Sequence, residues 1–164
     1  MDRSSVTLVN FPRSATIYTK NLITEVYPNI YFQWTHNVYG FTLDNPITIL
    51  RNPNESISSW LHYAYDEKNR FVKVNAVIKW YERFMSKALE SKTTFFSFYD
   101  LTENPSNLFY WIGKPKIINL ENLKNIEKNN SLITYDLIDE FKFSLEKSFE
   151  LYNEAKLKIV KFDF

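Results

Sequence analysis

The stretch from Arg70 to Tyr99 constrains the fold more than any other, because strand, helix and strand signals follow one another there without a gap. Phe71-Val72-Lys73-Val74 and Thr93-Thr94-Phe95-Phe96-Ser97-Phe98-Tyr99 are rich in β-branched and aromatic residues and read as strands. Between them, from about Ala76 to Glu90, the residues Val77, Trp80, Tyr81, Phe84, Met85, Ala88 and Leu89 recur at helical spacing and form a wide apolar stripe. The opposite side carries Lys79, Arg83 and Lys87, each four residues from the next. Such a unit buries its stripe on a sheet and turns a basic ridge outward.

Upstream, Val6-Thr7-Leu8-Val9-Asn10-Phe11 reads as a first strand stopped by Pro12. Ser14 or Thr16 is placed to cap a helix in which Tyr18, Leu22 and Val26 share a face, and Pro28 ends it. Asn29 to Trp34 has the alternation of a second strand, with Val38 to Leu43 as a hairpin partner. Residues 44–69 read as an insertion: after Ile47-Thr48-Ile49-Leu50, Asn52-Pro53 starts a helix whose stripe is Ile57, Trp60, Leu61 and Ala64.

Removing that insertion leaves βαββαβ, an antiparallel sheet covered by two helices on one face. The expected fold class is therefore α+β with the ferredoxin-like shape of the RNA-recognition motif (RRM). Residues 1–101 form this RRM-like domain, with the insertion at about 44–69, and residues 102–164 form a C-terminal extension packed on it or docking from it. In the extension, Asn104 to Asn107 marks a loop, and Leu108 to Ile112 is an apolar run ended by Gly113-Lys114-Pro115. Residues 121–130 are polar, a helix carries Leu137, Ile138, Phe141, Leu145, Phe149 and Tyr152, and Leu157 to Phe164 reads as a last strand.

Composition narrows the function classes. With two glycines in 164 residues, Gly40 and Gly113, no glycine-rich phosphate loop or dinucleotide fingerprint can be assembled. With no cysteine, thiolate metal sites and cysteine nucleophiles are excluded. His36 and His62 lack ligand spacing and read as structural, and Asp136, Asp139 and Glu140 read as a solvated helix face. No serine stands in a nucleophile elbow. The expectation is a protein that is not an enzyme and needs no cofactor or metal. The start Met-Asp-Arg-Ser-Ser is not a signal peptide and no apolar run reaches membrane length, which implies a cytoplasmic location and no membrane contact.

The RRM shape normally recognises single strands through stacking aromatics on two strands. Here Thr7, Val72 and Val74 occupy the positions of those aromatics, so the shape is kept and the stacking platform is lost. Phosphate or acidic-protein contacts fall instead to Arg70, Lys73, Lys79, Arg83 and Lys87. The formal net charge of +1 argues against a protein that coats nucleic acid by charge alone.

In this order of parts the chain resembles the calcipressins, regulators of the phosphatase calcineurin. They too have a degenerate recognition-motif domain followed by a proline-containing phosphatase-facing segment and a C-terminal docking strand. The second segment corresponds to Asn107 to Pro115, where only Pro115 of the family's pattern is kept, both Ser-Pro pairs are missing and Phe109 and Trp111 are the docking candidates; at the end, Ala155-Lys156-Leu157-Lys158-Ile159-Val160 stands in place of Pro-x-Ile-x-Ile-Thr. The resemblance implies a regulator that docks on a larger partner, a calcineurin-type phosphatase, through Leu157, Ile159 and Val160 by strand addition. Two rivals stand beside it: a factor bound to RNA or to a ribonucleoprotein such as the ribosome through the basic helix, and a small inhibitor or immunity-type protein.

Overall fold

The computed structural model describes residues 3–67, 73–113 and 145–162. Four strands form one sheet: β1 (Ser5–Val9), β2 (Tyr31–Thr35), β3 (Pro46–Leu50) and β4 (Thr94–Ser97), in the order β2-β1-β3-β4. All three pairings are parallel, with Val6 opposite Phe32, Leu8 opposite Ile47, and Ile49 opposite Phe96. This overturns the antiparallel RRM-like sheet. The cause is the segment read as an insertion: β3 is a central strand, buried at every position from Pro46 to Leu50. A strand covered on both faces shows a continuous apolar run rather than alternation, which is the mark of a parallel sheet.

Two other expectations fail for local reasons. The hairpin partner at 38–43 is a 3₁₀ turn, Val38–Thr42, nucleated by the Asn37 side chain, which accepts from the Tyr39 N–H. It carries the chain over β1 from the end of β2 to the start of β3, as a parallel connection requires. The strand expected at 71–74 does not form at its described end, because Val74 opens the next helix; Phe71 and Val72 lie outside the described residues.

Helices cover both faces. On one lie α1 (Thr16–Val26), α4 (Phe98–Glu103) and α5 (Ser106–Ile112), whose Leu22, Ile23, Leu101, Leu108 and Ile112 pack with Val6, Leu8, Ile47, Ile49 and Phe96. On the other lie α2 (Pro53–His62), α3 (Val74–Glu90) and α6 (Glu146–Lys156), packed on Val9, Leu50 and Phe95. The predicted stripe of α3 is right: Val77, Tyr81, Phe84, Met85 and Ala88 are buried. Beyond α6, Ile159 bridges Phe95 in parallel and the Val160 N–H donates to the Phe95 carbonyl, so this end lengthens the protein's own sheet.

Strand order and helix placement make a doubly wound arrangement. From β1 the chain runs through α1 to β2 on one side, and from β3 through α2 and α3 to β4 on the other. Between β1 and β3 the winding reverses, and in open α/β sheets ligands bind beyond the carboxyl ends of the strands at this place.

Candidate functional site

Three segments leave the sheet at that place: Asn10 to Ala15 after β1, Trp34 to Tyr39 at the end of β2, and Arg51-Asn52 after β3. Asn10, fully buried, joins them. Its Nδ2 donates to the Ser14 carbonyl at 2.8 Å, its Oδ1 accepts from the Ile49 N–H at 2.7 Å, and its own carbonyl lies 2.7 Å from His36 Nδ1. One asparagine thus fixes the first loop, the central strand and the histidine.

The loop itself is unusual. Arg13 has φ 67° and Ala15 has φ 59°, left-handed conformations that side chains other than Gly, Asn and Asp seldom adopt. Alternation of this kind turns successive backbone N–H groups toward one point, the geometry of anion-binding nests. Ala15 is also the N-cap of α1 and offers no side-chain cap, and the first turn holds no acidic residue. The first hydrogen bond of the helix runs from the Thr19 N–H to the Ala15 carbonyl, leaving the N–H groups of Thr16, Ile17 and Tyr18 ahead of the ladder. In their midst the Thr16 hydroxyl is buried without a hydrogen-bond partner among the described residues. A buried hydroxyl at an uncapped helix end is a donor with nothing to serve.

The contrast with α2 is informative. Its N-terminus reaches the same crevice but is closed by Asn52, whose side chain accepts from the Asn54 and Glu55 N–H groups, and Glu55 lies in its first turn. The loop before α1 touches α2 through the Ser14 and Ser56 hydroxyls, 3.5 Å apart. The open positive helix end belongs to α1 alone of this pair.

Two arginines stem from the loops around it. Arg13 donates from Nε to the Ser59 hydroxyl at 3.2 Å and its guanidinium lies 5.3 Å from the centre of the Tyr63 ring, where a π-helical turn (Tyr63–Glu67) follows α2. Arg51 donates from Nη1 to the Arg13 carbonyl at 2.7 Å and from Nε to Glu55 at 3.2 Å, and lies over the Phe98 ring at 4.6 Å. A guanidinium suits an oxyanion by its planar set of donors, and of the two Arg51 lies nearer the loop, on the Arg13 carbonyl.

His36 completes the edge. A carbonyl oxygen only accepts, so Nδ1 carries the proton in its contact with Asn10, and Nε2 of the neutral ring keeps its lone pair. The ring packs against Trp34 at 5.2 Å. Trp34 and, in the 3₁₀ turn, Tyr39 are both exposed.

The residues expected from the sequence lie elsewhere. Lys73, Lys79, Arg83 and Lys87 are exposed along α3, with Lys87 paired to Glu90 at 2.6 Å, and Arg70 lies outside the described residues. Phe109 and Trp111 are buried in α5, with the Arg3 guanidinium stacked on Trp111. Pro115 is outside the described residues, as are Asp136, Asp139 and Glu140. Leu157 is 88% exposed beyond α6, whereas Ile159 and Val160 are engaged with β4. Among the described residues no group of three or more histidine or acidic side chains is placed to hold a metal, and no helix is long and apolar enough to cross a membrane.

No protein-family model, no curated protein and no solved structure matches this chain.

Proposed function

We infer that this chain binds a phosphate- or sulfate-bearing ligand, a nucleotide by class, at the N-terminus of α1, and transfers its charged group to an acceptor hydroxyl that His36 deprotonates. The observation that carries this reading is the uncapped end of α1 at the switch point of the sheet, with the buried Thr16 hydroxyl inside it. A helix end of this kind attracts anions. Arg13 and Arg51, which stem from the loops around it, add two permanent charges to this edge of the sheet, and positive charge stabilises the charge spread over a transferring phosphoryl or sulfuryl group. The exposed rings of Trp34 and Tyr39 offer planar faces to a base.

The step balances simply. The acceptor oxygen bonds to phosphorus or sulfur, its proton passes to His36 Nε2, and the bond to the bridging oxygen breaks with its electron pair left on the nucleotide. Direct fixation of Nδ1 by Asn10 is the orienting contact a general base needs.

The test is calorimetric titration at low ionic strength with inorganic phosphate, sulfate, ADP, ATP and adenosine 3′,5′-bisphosphate. Wild type binds at least one phosphorylated nucleotide, and Arg13→Ala with Arg51→Ala together weaken it by at least about tenfold. His36→Ala leaves that binding intact and stops turnover of the bound donor. No binding of any of the five probes overturns the reading.

A second reading, a regulator docking on a larger protein or ribonucleoprotein, is supported by the exposure of Leu157 and the basic face of α3. It is the weaker one: the RRM-like sheet behind it is absent, and Ile159 is occupied on β4.

A further inference from the structure

Glu55 stands three residues after the N-cap Asn52, the position from which a glutamate ordinarily reaches back to the N-cap backbone N–H and closes a capping box. It does not do so here. Its carboxylate accepts from Arg51 Nε at 3.2 Å, and the same carboxylate helps to keep the Tyr99 phenol neutral.

The carboxylate is thus given to Arg51 rather than to its own helix end. The guanidinium is then held at three points: Nε by Glu55, Nη1 by the Arg13 carbonyl, and one face by the Phe98 ring. Its side chain is 15% exposed, and Nη2 makes no hydrogen bond among the described residues. A fork fixed along one edge with a free donor at the other has already lost the rotamer freedom that binding would otherwise cost.

We propose that Glu55 is a positioning residue that aims Arg51 at the anion in the α1 site. This rests on the anion reading above and deepens it. The carboxylate cannot act by attraction, since it carries the charge of the ligand and lies beside its partner. It acts by orientation, and that distinction can be measured. Glu55→Gln keeps an acceptor for Arg51 Nε while removing the repulsive charge; Glu55→Ala removes both.

The experiment is titration of wild type, Glu55→Gln and Glu55→Ala with ADP and adenosine 3′,5′-bisphosphate, beside ¹⁵N spectra of the arginine Nε–H groups. Wild type shows a protected Arg51 Nε–H signal that Glu55→Ala loses and Glu55→Gln keeps. Affinity falls about tenfold in Glu55→Ala, the worth of one charge-assisted hydrogen bond, and is kept or raised in Glu55→Gln. Equal weakening by Gln and Ala, or unchanged affinity in Glu55→Ala, overturns the positioning role and leaves the anion site standing. No binding by wild type overturns the anion reading and this role with it.

Discussion

The carbonyl of Asn10 and the Nδ1 of His36 lie 2.7 Å apart, and the side chain of the same asparagine holds the Ser14 carbonyl and the Ile49 N–H. The anion loop and the histidine are thereby parts of one rigid unit, fixed by a residue with no exposed surface. The side-chain half of this unit is open to mutation. Asn10→Ala leaves a buried donor and a buried acceptor without partners, each costing about 1–3 kcal/mol. Urea unfolding is expected to register a loss of about 2–5 kcal/mol, and a loss under 1 kcal/mol is the contrary result.

The backbone half fixes a tautomer. In free solution neutral histidine prefers the proton on Nε2, whereas the Asn10 carbonyl requires it on Nδ1. Long-range ¹H–¹⁵N spectra of the neutral form are expected to show Nδ1 as the protonated nitrogen of His36. Finding Nε2 protonated instead removes His36 as a base, because its lone pair then faces the carbonyl.

Much of the fold was legible residue by residue, and its topology was not. The stripe of α3, the Asn52-Pro53 start of α2 and the strand expected at 93–99, which forms at 94–97 before Phe98 opens α4, follow from short-range periodicity and caps, which depend on neighbours in the chain. Strand direction depends on partners far away, and two strands joined by a short connection look the same whether the connection is a hairpin or a crossover. The one signal that separates them was present: Ile47 to Leu50 is apolar at three of four positions, the run of a strand buried on both faces. The candidate site hid for a related reason. Phosphate loops are sought by their glycines, and here Arg13 and Ala15 take left-handed conformations without one. Nor does any periodicity relate Asn10, His36 and Arg51, which only the parallel register brings to one edge.

Ala15 pays for that geometry in strain. A non-glycine residue in the left-handed region costs about 1–2 kcal/mol, which glycine avoids at the expense of a more flexible unfolded chain. Ala15→Gly is therefore expected to raise stability by about 0.5–1 kcal/mol and to preserve nucleotide binding. Ala15→Val, β-branched at the same φ, lowers stability. Thermal melts of both variants decide it, and a destabilised Ala15→Gly contradicts the argument.

Gly40 answers to space rather than to φ. A Cβ built there meets a Thr35 methyl at 2.5 Å and a Val9 methyl at 2.8 Å, both below any normal contact. Those methyls belong to β2 and β1, so the 3₁₀ turn can lie on the sheet only because this residue has no side chain. Gly40→Ala is expected to destabilise by about 1–3 kcal/mol, measured by urea unfolding. An unchanged midpoint shows that the turn can lift without cost.

The tyrosines give the chain a pH dependence on the alkaline side. Burial, and then the neighbouring Glu55 carboxylate, push the Tyr99 phenol up to about 12. Burial raises Tyr81 and Tyr152 as well, and Glu55 adds to the shift of Tyr152. In the unfolded chain all three titrate near 10. A folded pKa above the unfolded one means that the fold favours the neutral form. The contribution is fully present below about pH 10 and is lost as pH rises from there through the folded values, because the unfolded chain gives up its protons first. The urea midpoint is expected to hold steady between about pH 8 and 9.5 and to fall from about pH 10 to 12. Tyr99→Phe removes one titrating group and makes that fall shallower, without altering the steady region's independence of pH. A midpoint that does not move with pH, or a slope that Tyr99→Phe leaves unchanged, means that Tyr99 is not held against Glu55 in solution.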